Sequence, residues 1–400
     1  HRDLHSFPTR RSSDLQNATM QAFALNLLIN LTTGLTLMMA VPNGGIGPEY
    51  GGILARGYAP PEAKAIWPYI FTDQPKHFNG TGEYSDWRYR AYTSNDEYAG
   101  YYLFLSIATR YLQHITFIKE RVSKIVDQIC INWIYTDLQG IHGTGATTGV
   151  NQKPSAFSGG FWAPLIFKLG AIYYPEKYER YYYQYVANEM YYLSNSEGGL
   201  QENFANYYAF NFGYCVVLGF LLIEDPLTTI WKQYFNGFYS SLWTYTRYHR
   251  NAWFNAAFLI ICHEAGLKSS DVGEDLIFIA EDIGDQLQRF GESHSPNLNY
   301  LMPNTLPQGY ELNQPVQEFV ETLGMSEQLQ KLLGIKDKTD FLNKPLTVDY
   351  MDMGHWMWNK NPYRWIPDDK EDLLVEYGGG SFTVPYWMLR YGGYMNEGAI

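Results

Sequence analysis

The chain has 400 residues, with 29 Lys and Arg against 41 Asp and Glu, a net charge of −12. So acidic a balance repels nucleic acid and anionic membranes, and neither nucleic-acid binding nor membrane insertion is expected. The 35 Tyr, 22 Phe and 11 Trp are an excess that suits large cores, and also clefts for ligands with flat apolar faces and hydroxyl rims, as sugars have.

Residues 1–15, HRDLHSFPTRRSSDL, collect three Arg, two Asp and three Ser without an apolar period. The stretch resembles one reading frame of a common short-read sequencing adapter. That implies a non-native, disordered tail and a natural N-terminus that has been cut away. From Gln16 to Pro48 there is no charged residue. The run has the length of a membrane span, but Asn26, Asn30, Thr32, Thr33, Gly34 and Thr36 interrupt it. It reads as a buried helix, with Gln21–Leu31 apolar on most sides, broken by NGGIGPEYGG.

TSNDEYAG opens a predicted helix over Asn95–His114. Ile118, Val122, Ile125, Val126, Ile129 and Trp133 recur at helical spacing through Thr116–Tyr135. The Gly-rich loop DLQGIHGTGATTGVNQKPSAFSGG follows. Phe161–Tyr173, Glu176–Leu193, Asn203–Leu222, Pro226–Thr246 and Asn251–Glu264 predict helices joined by short turns, with Pro226 at the first helical position behind an Asp225 cap. Asp271–Phe290 predicts one more. Gly291 to Gly379 reads as long loops with short elements, and SFTVPYWMLRYGGYM as a last apolar helix. No long segment carries a strand period. Paired helices on short connections build a solenoid or a closed ring, and no strict repeat of about 34 or 40 residues is present. The expectation is therefore all-α, a single (α/α) toroid domain over residues 16–400.

The segments TSNDEYAGYYLFLSIATRYL (93–112), EDPLTTIWKQYFNGFYSSLWTYTRYHRNAWFNAAFL (224–259), NPYRW (361–365) and GGGSFTVPYWMLRYGG (378–393) occur in this order. As a set they resemble a group of uncharacterised bacterial and metagenomic proteins of six-hairpin, (α/α)6 toroid, glycosidase-like architecture. The resemblance runs in patches over most of the chain and implies a toroid with long loops in its C-terminal third. Its link to glycosidases is one of fold alone. The chain departs from the group in lacking a Trp in the loop after Asp137, and in carrying Arg250-Asn251-Ala252 where the group has a basic-Asn-Pro turn.

Ser94 and Glu97 have the spacing of a capping box, with Asp96 in the first turn where the helix dipole favours a carboxylate, and capping alone accounts for them. In a hairpin toroid such N-termini gather at one mouth, which makes Asp96 a candidate general base and Glu97 a candidate acid. Glycoside hydrolysis needs a second carboxylate roughly 5–10 Å away. Glu202 in GGLQENFANYY is the first candidate, followed by Asp349, Asp352 and Glu376, although a solvated loop acid is the plainer reading of each. RYHRN (247–251) is either helix punctuation, with Asn251 as a cap, or an anion-recognising cluster built on Arg247 and His249. His142 in HGTGATTG is a candidate base or a bystander, and that loop lacks the phosphate-binding pattern. Trp87, Trp356 and Trp358 are candidates both for sugar stacking and for the core. Arg88, Asn203 and Tyr207 complete the substrate-binding set. Cys130, Cys215 and Cys262 lie apart in apolar runs, and neither a metal nor a cofactor is expected.

These residues point to a carbohydrate-active protein of glycoside-hydrolase type, its carboxylate pair at the toroid mouth and its partner a carbohydrate or other small polar ligand. One alternative is a uronate polysaccharide lyase using Asn203, Tyr207, Arg247 and His249. Another is a non-catalytic glycan-binding or scaffold ring.

Overall fold

Six apolar residues at helical spacing decide how the first part of the chain packs: Ile118, Val122, Ile125, Val126, Ile129 and Trp133 are all buried along one stripe of a helix. The computed structural model describes residues 18–72, 74–153, 161–193, 207–293, 306, 308–311, 342–351, 356–363 and 380–396. Of these, 64% are helical and 6% lie in strands, so the fold is all-α. The adapter-like residues 1–15 and most of 291–379 lie outside the described residues. The chain divides into two compact units, His1–Tyr192 with Leu222–Asp225, and Leu193–Leu221 with Pro226–Ile400.

In the first unit, α1 (Ala18–Asn43), α2 (Asn95–Tyr111) and α4 (Trp162–Tyr173) pack on α3 (Thr116–Tyr135). Strands β1 (Gly57–Ala59), β2 (His77–Asn79) and β3 (Arg88–Arg90) form a small antiparallel sheet in the order β1-β3-β2. A second pair, β4 (Gln139–Ile141) and β5 (Thr147–Asn151), makes a hairpin. With three to five residues each, these strands are too short to show a period in the sequence. Helix α5 (Pro175–Leu193) is tied to α3 by the buried Asp127, which accepts from the Tyr178 hydroxyl and pairs with Lys177 Nζ at 3.1 Å. Buried Glu224 likewise pairs with Lys168 Nζ at 2.7 Å and accepts from the Tyr182 hydroxyl at 2.5 Å.

Helix α1 departs from the expected buried helix. From Thr32 onward it is buried or half-buried, whereas Phe23, Leu25, Leu27 and Leu31 are exposed. The C-terminal part is tied to the rest of the unit, with Met38 O accepting from Ala55 N at 2.8 Å and Val41 O from Thr81 N at 3.0 Å. Among the described residues α1 is the one helix with the length and apolar composition of a membrane span.

The second unit is built around α8 (Ala252–Glu264), buried at every position from Ala252 to Cys262. Around it lie α6 (Tyr208–Ile223, up to Leu221 in this unit), α7 (Thr229–Phe238), α9 (Leu276–Ser293) and α10 (Gly380–Tyr391). Parallel ring stacks lock the contacts, Tyr214 on Phe254 at 4.2 Å and Trp243 on Phe258 at 3.8 Å. Two boundaries differ from expectation. Helix α7 starts at Thr229, because the Thr228 hydroxyl accepts from Trp231 N at 3.0 Å and takes the cap that Asp225–Pro226 was expected to supply. The Asp271 segment makes only a short turn ending at Gly273 (φ 67°), and the long helix begins at Leu276.

Trp243 is fully buried against Phe258, so Trp243→Ala should cost about 3–5 kcal/mol, read as a lowered midpoint in denaturant unfolding.

Candidate functional site

The capping box forms as its spacing predicts. Glu97 Oε2 accepts from Ser94 N at 2.7 Å and from Ser94 Oγ at 2.5 Å, and Oε1 pairs with Arg56 Nε at 2.7 Å. Both carboxylate oxygens of Glu97 are thus committed, one to the start of α2 and the other to Arg56. Asp96 is exposed and takes a hydrogen bond from Ser94 Oγ. Glu202 and Asn203 lie outside the described residues, as do Asp352 and Glu376.

Three more candidates belong to the first unit. Arg88 is a staple: Nη1 donates to Asn79 Oδ1 at 2.6 Å, Nη2 to Thr72 O at 2.8 Å and Nε to Ile70 O at 3.4 Å. Trp87 packs edge-on against Tyr84, with ring centroids 5.4 Å apart, on the small core of Val41, Ala55, Tyr89 and Ala91. Buried His142 is sandwiched between Tyr92 at 4.4 Å and Phe78 at 6.2 Å, with Thr144 Oγ1 3.0 Å from Nδ1.

The second unit gathers the others. RYHRN places consecutive side chains in different jobs. Arg247 Nη1 pairs with Glu274 Oε1 at 2.8 Å. His249 Nδ1 lies 3.2 Å from the Tyr207 hydroxyl, within a ring of Phe210, Tyr245 and Tyr363. Asn251 Oδ1 caps α8 by accepting from Trp253 N and Phe254 N, both at 3.1 Å. Its Nδ2 donates to Trp358 O at 3.0 Å and to the Tyr207 hydroxyl at 3.4 Å. Asn211 Nδ2 donates to the same Trp358 carbonyl at 2.9 Å and its Oδ1 accepts from Trp356 Nε1 at 3.1 Å. The indole of Trp358 itself is core, buried and donating to Ser381 O at 2.7 Å. Of the sequence candidates, Tyr207, His249, Trp356 and Trp358 therefore share one network, while Arg247 turns to Glu274.

The residue between His249 and Asn251 opens a constellation that the sequence reading did not single out. Arg250 has φ 55°, a left-handed conformation uncommon outside glycine. Its guanidinium spans two carboxylates of α9, Nε to Asp282 Oδ1 at 2.8 Å and Nη2 to Asp285 Oδ2. Arg289 Nε meets the same Asp285 oxygen at 3.0 Å, and its Nη1 reaches Asp349 Oδ2 at 3.5 Å. Burial pushes the Asp282 carboxyl above the ordinary aspartate value despite Arg250. Burial acts the same way on Asp285, but hydrogen bonds from Arg289 and Arg250 outweigh it and hold that carboxyl below the ordinary value. Asn255 Nδ2 donates to Asp282 Oδ2 at 3.2 Å, and among the described residues Asn255 Oδ1 and the buried Gln286 Nε2 and Thr347 Oγ1 have no partner. Buried polar atoms left over beside an acid pair are places for a polar ligand or water. The signal was legible only as Asp282 and Asp285 at i and i+3 on a predicted helix, a pattern that a solvated face also gives.

His249 sits in an apolar ring and burial lowers its pKa to about 3, against about 6.5 for a free histidine. The unfolded chain thus binds a proton that the folded chain refuses. The contribution of His249 to stability is complete above about pH 6.5 and is lost as pH falls toward 3, at up to about 1.4 kcal/mol per pH unit. His249→Gln should flatten this limb of the Tm–pH curve, and equal slopes in both proteins would show that His249 is charged when folded. No protein-family model, curated protein or solved structure matches this chain.

Proposed function

We propose that the chain is a carbohydrate-active protein of the glycoside-hydrolase type, its helical hairpins arranged as an (α/α)6 toroid, with acid–base chemistry on Asp282 and Asp285. The observation that carries this reading is the inequality of two carboxyls one turn apart that share Arg250: burial pushes the Asp282 carboxyl above its ordinary value, and hydrogen bonds from Arg289 and Arg250 hold that of Asp285 below it. Environments that push two acids apart are what assigns acid and base at such sites. The i, i+3 spacing sets the two Cβ atoms about 5–6 Å apart on one helix face. That favours the close, retaining type of pair, with carboxyls about 5–5.5 Å apart. Asp282 then protonates the glycosidic oxygen as its bond to the anomeric carbon breaks, and Asp285 attacks that carbon. Water releases the sugar from Asp285 while Asp282 takes the water's proton.

One observation favours a second reading, a uronate lyase: the Tyr207 hydroxyl and His249 Nδ1 are in hydrogen-bond reach, as proton abstraction beside a carboxylate requires. Against it, burial raises the Tyr207 phenol far above its ordinary value and makes it a poor base. The Arg247 guanidinium is already paired with Glu274.

Release of reducing ends from a panel of neutral and uronate polysaccharides tests the proposal. Asp282→Asn and Asp285→Asn should each lower turnover by about 10²–10⁴-fold while the far-ultraviolet circular dichroism stays that of the parent. Products with the absorbance of unsaturated uronides, lost in Tyr207→Phe, would establish the lyase. Full turnover in both Asp variants would sink the hydrolase assignment.

A further inference from the structure

The first unit holds a cavity of about 390 Å³, within the range of roughly 300–1,000 Å³ usual for small-molecule sites. It lies between α1, the NGGIGPEYGG loop, the turn at Glu83–Tyr84 and the first three turns of α3. Three aromatic rings line it, Tyr50, Tyr84 and Phe117, together with Glu83, Glu120, Arg121 and Lys124.

The glycine loop is built and braced. Gln128, itself buried, accepts from Gly47 N at 3.1 Å through Oε1 and donates through Nε2 to Gly51 O. Asn43 clamps the loop's far end, accepting from Ile53 N at 3.1 Å and donating to Ile53 O at 2.7 Å. Gly45, at φ 156°, lies so close beneath Tyr50 that a Cβ there would land in the ring. Only glycine allows that approach, and it holds the phenol at the cavity rim. Arg121 is held in turn, its guanidinium 4.4 Å from the centre of the Phe117 ring. A wall fixed before a ligand arrives loses little entropy on binding.

The lining chemistry narrows the occupant. Two carboxylates and two cations cancel, so an anion would meet Glu83 and Glu120 and a cation would meet Arg121 and Lys124. A neutral ligand rich in hydroxyls satisfies both signs at once, its hydroxyls donating to the carboxylates and accepting from the guanidinium. Aromatic rings supply faces for the C–H side of such a ligand. Burial and a hydrogen bond to Glu83 push the Tyr84 phenol up, so it stays neutral.

We infer that this cavity is a subsite for a neutral sugar residue, with Tyr50 as platform and Glu83, Glu120 and Arg121 as hydroxyl partners. The inference rests on the carbohydrate reading above but uses none of the residues assigned to catalysis.

The test is calorimetric titration of the intact chain with the methyl glycosides of glucose, galactose, mannose, xylose and glucuronic acid. At least one neutral glycoside should bind, more tightly than the glucuronide. Tyr50→Ala and Glu83→Gln, both exposed positions, should each weaken that binding by about tenfold at unchanged Tm, and Asp282→Asn should leave it intact. Binding that survives Tyr50→Ala and Glu83→Gln but is lost in Asp282→Asn overturns the cavity assignment and leaves the hydrolase reading standing. Tightest binding of the glucuronide, strengthened by Glu83→Gln, overturns the neutral-sugar assignment. Absence of binding by all five overturns it as well, while turnover on polysaccharides judges the catalytic reading separately.

Discussion

One side-chain amide, that of Asn251, ties the second unit together. Its oxygen caps α8, the most deeply buried helix of that unit, and its nitrogen reaches the Trp358 carbonyl and the Tyr207 hydroxyl. A helix buried at eleven successive positions cannot give its first N–H groups to water, so a cap from within the core is needed. Asn at this position supplies both an acceptor for the helix and donors for the segment that crosses it. The geometry of RYHRN follows. With Asn251 fixed, His249 is drawn toward Tyr207 and Arg250 turns to α9.

Charge is handled differently in the two units. In the first, Asp127 and Glu224 are buried, and each is matched by one ammonium and one phenol. Matched pairs of this kind define where α4 and α5 rest, and removing one partner would leave a bare charge inside. In the second, Asp282 and Asp285 of α9 and Asp349 are linked through the guanidinium groups of Arg250 and Arg289. Shared cations let the more buried carboxyl drift up while the better-solvated one is held down, and that asymmetry makes a pair chemically unequal.

The sequence made local order legible where one periodic signal dominates. Helix α3 has the boundaries its apolar period predicts, because the stripe from Ile118 to Trp133 is long and uninterrupted. The start of α7 misled because Pro226 and Thr228 both carry helix-start chemistry, and only packing chooses between them. Side-chain roles were legible at Ser94, Glu97 and Asn251, whose partners lie within three residues. They were not legible at Arg88, whose acceptors Ile70, Thr72 and Asn79 are distant in sequence, nor at Trp358, where sugar-stacking and core tryptophans have the same local signature. Asp282 and Asp285 were hidden for a third reason. On a helix face a carboxylate is ordinary until something opposite it, here Arg250 from another element, makes it otherwise.

Arg250 shows why stability alone does not account for that cluster. A left-handed conformation costs an L residue about 1–2 kcal/mol, a cost that glycine would avoid. The return comes from two ion pairs, to Asp282 and Asp285, in which the Arg250 side chain is 30% exposed and that of Asp285 40% exposed. Pairs this open to solvent contribute about 0–1 kcal/mol each, and burial of Asp282 subtracts from its share. Cost and return roughly cancel, so the fold gains little from placing an arginine there. What it does gain is a guanidinium bonded at once to two carboxyls in unequal surroundings, at a position of the backbone strain that clusters at functional sites.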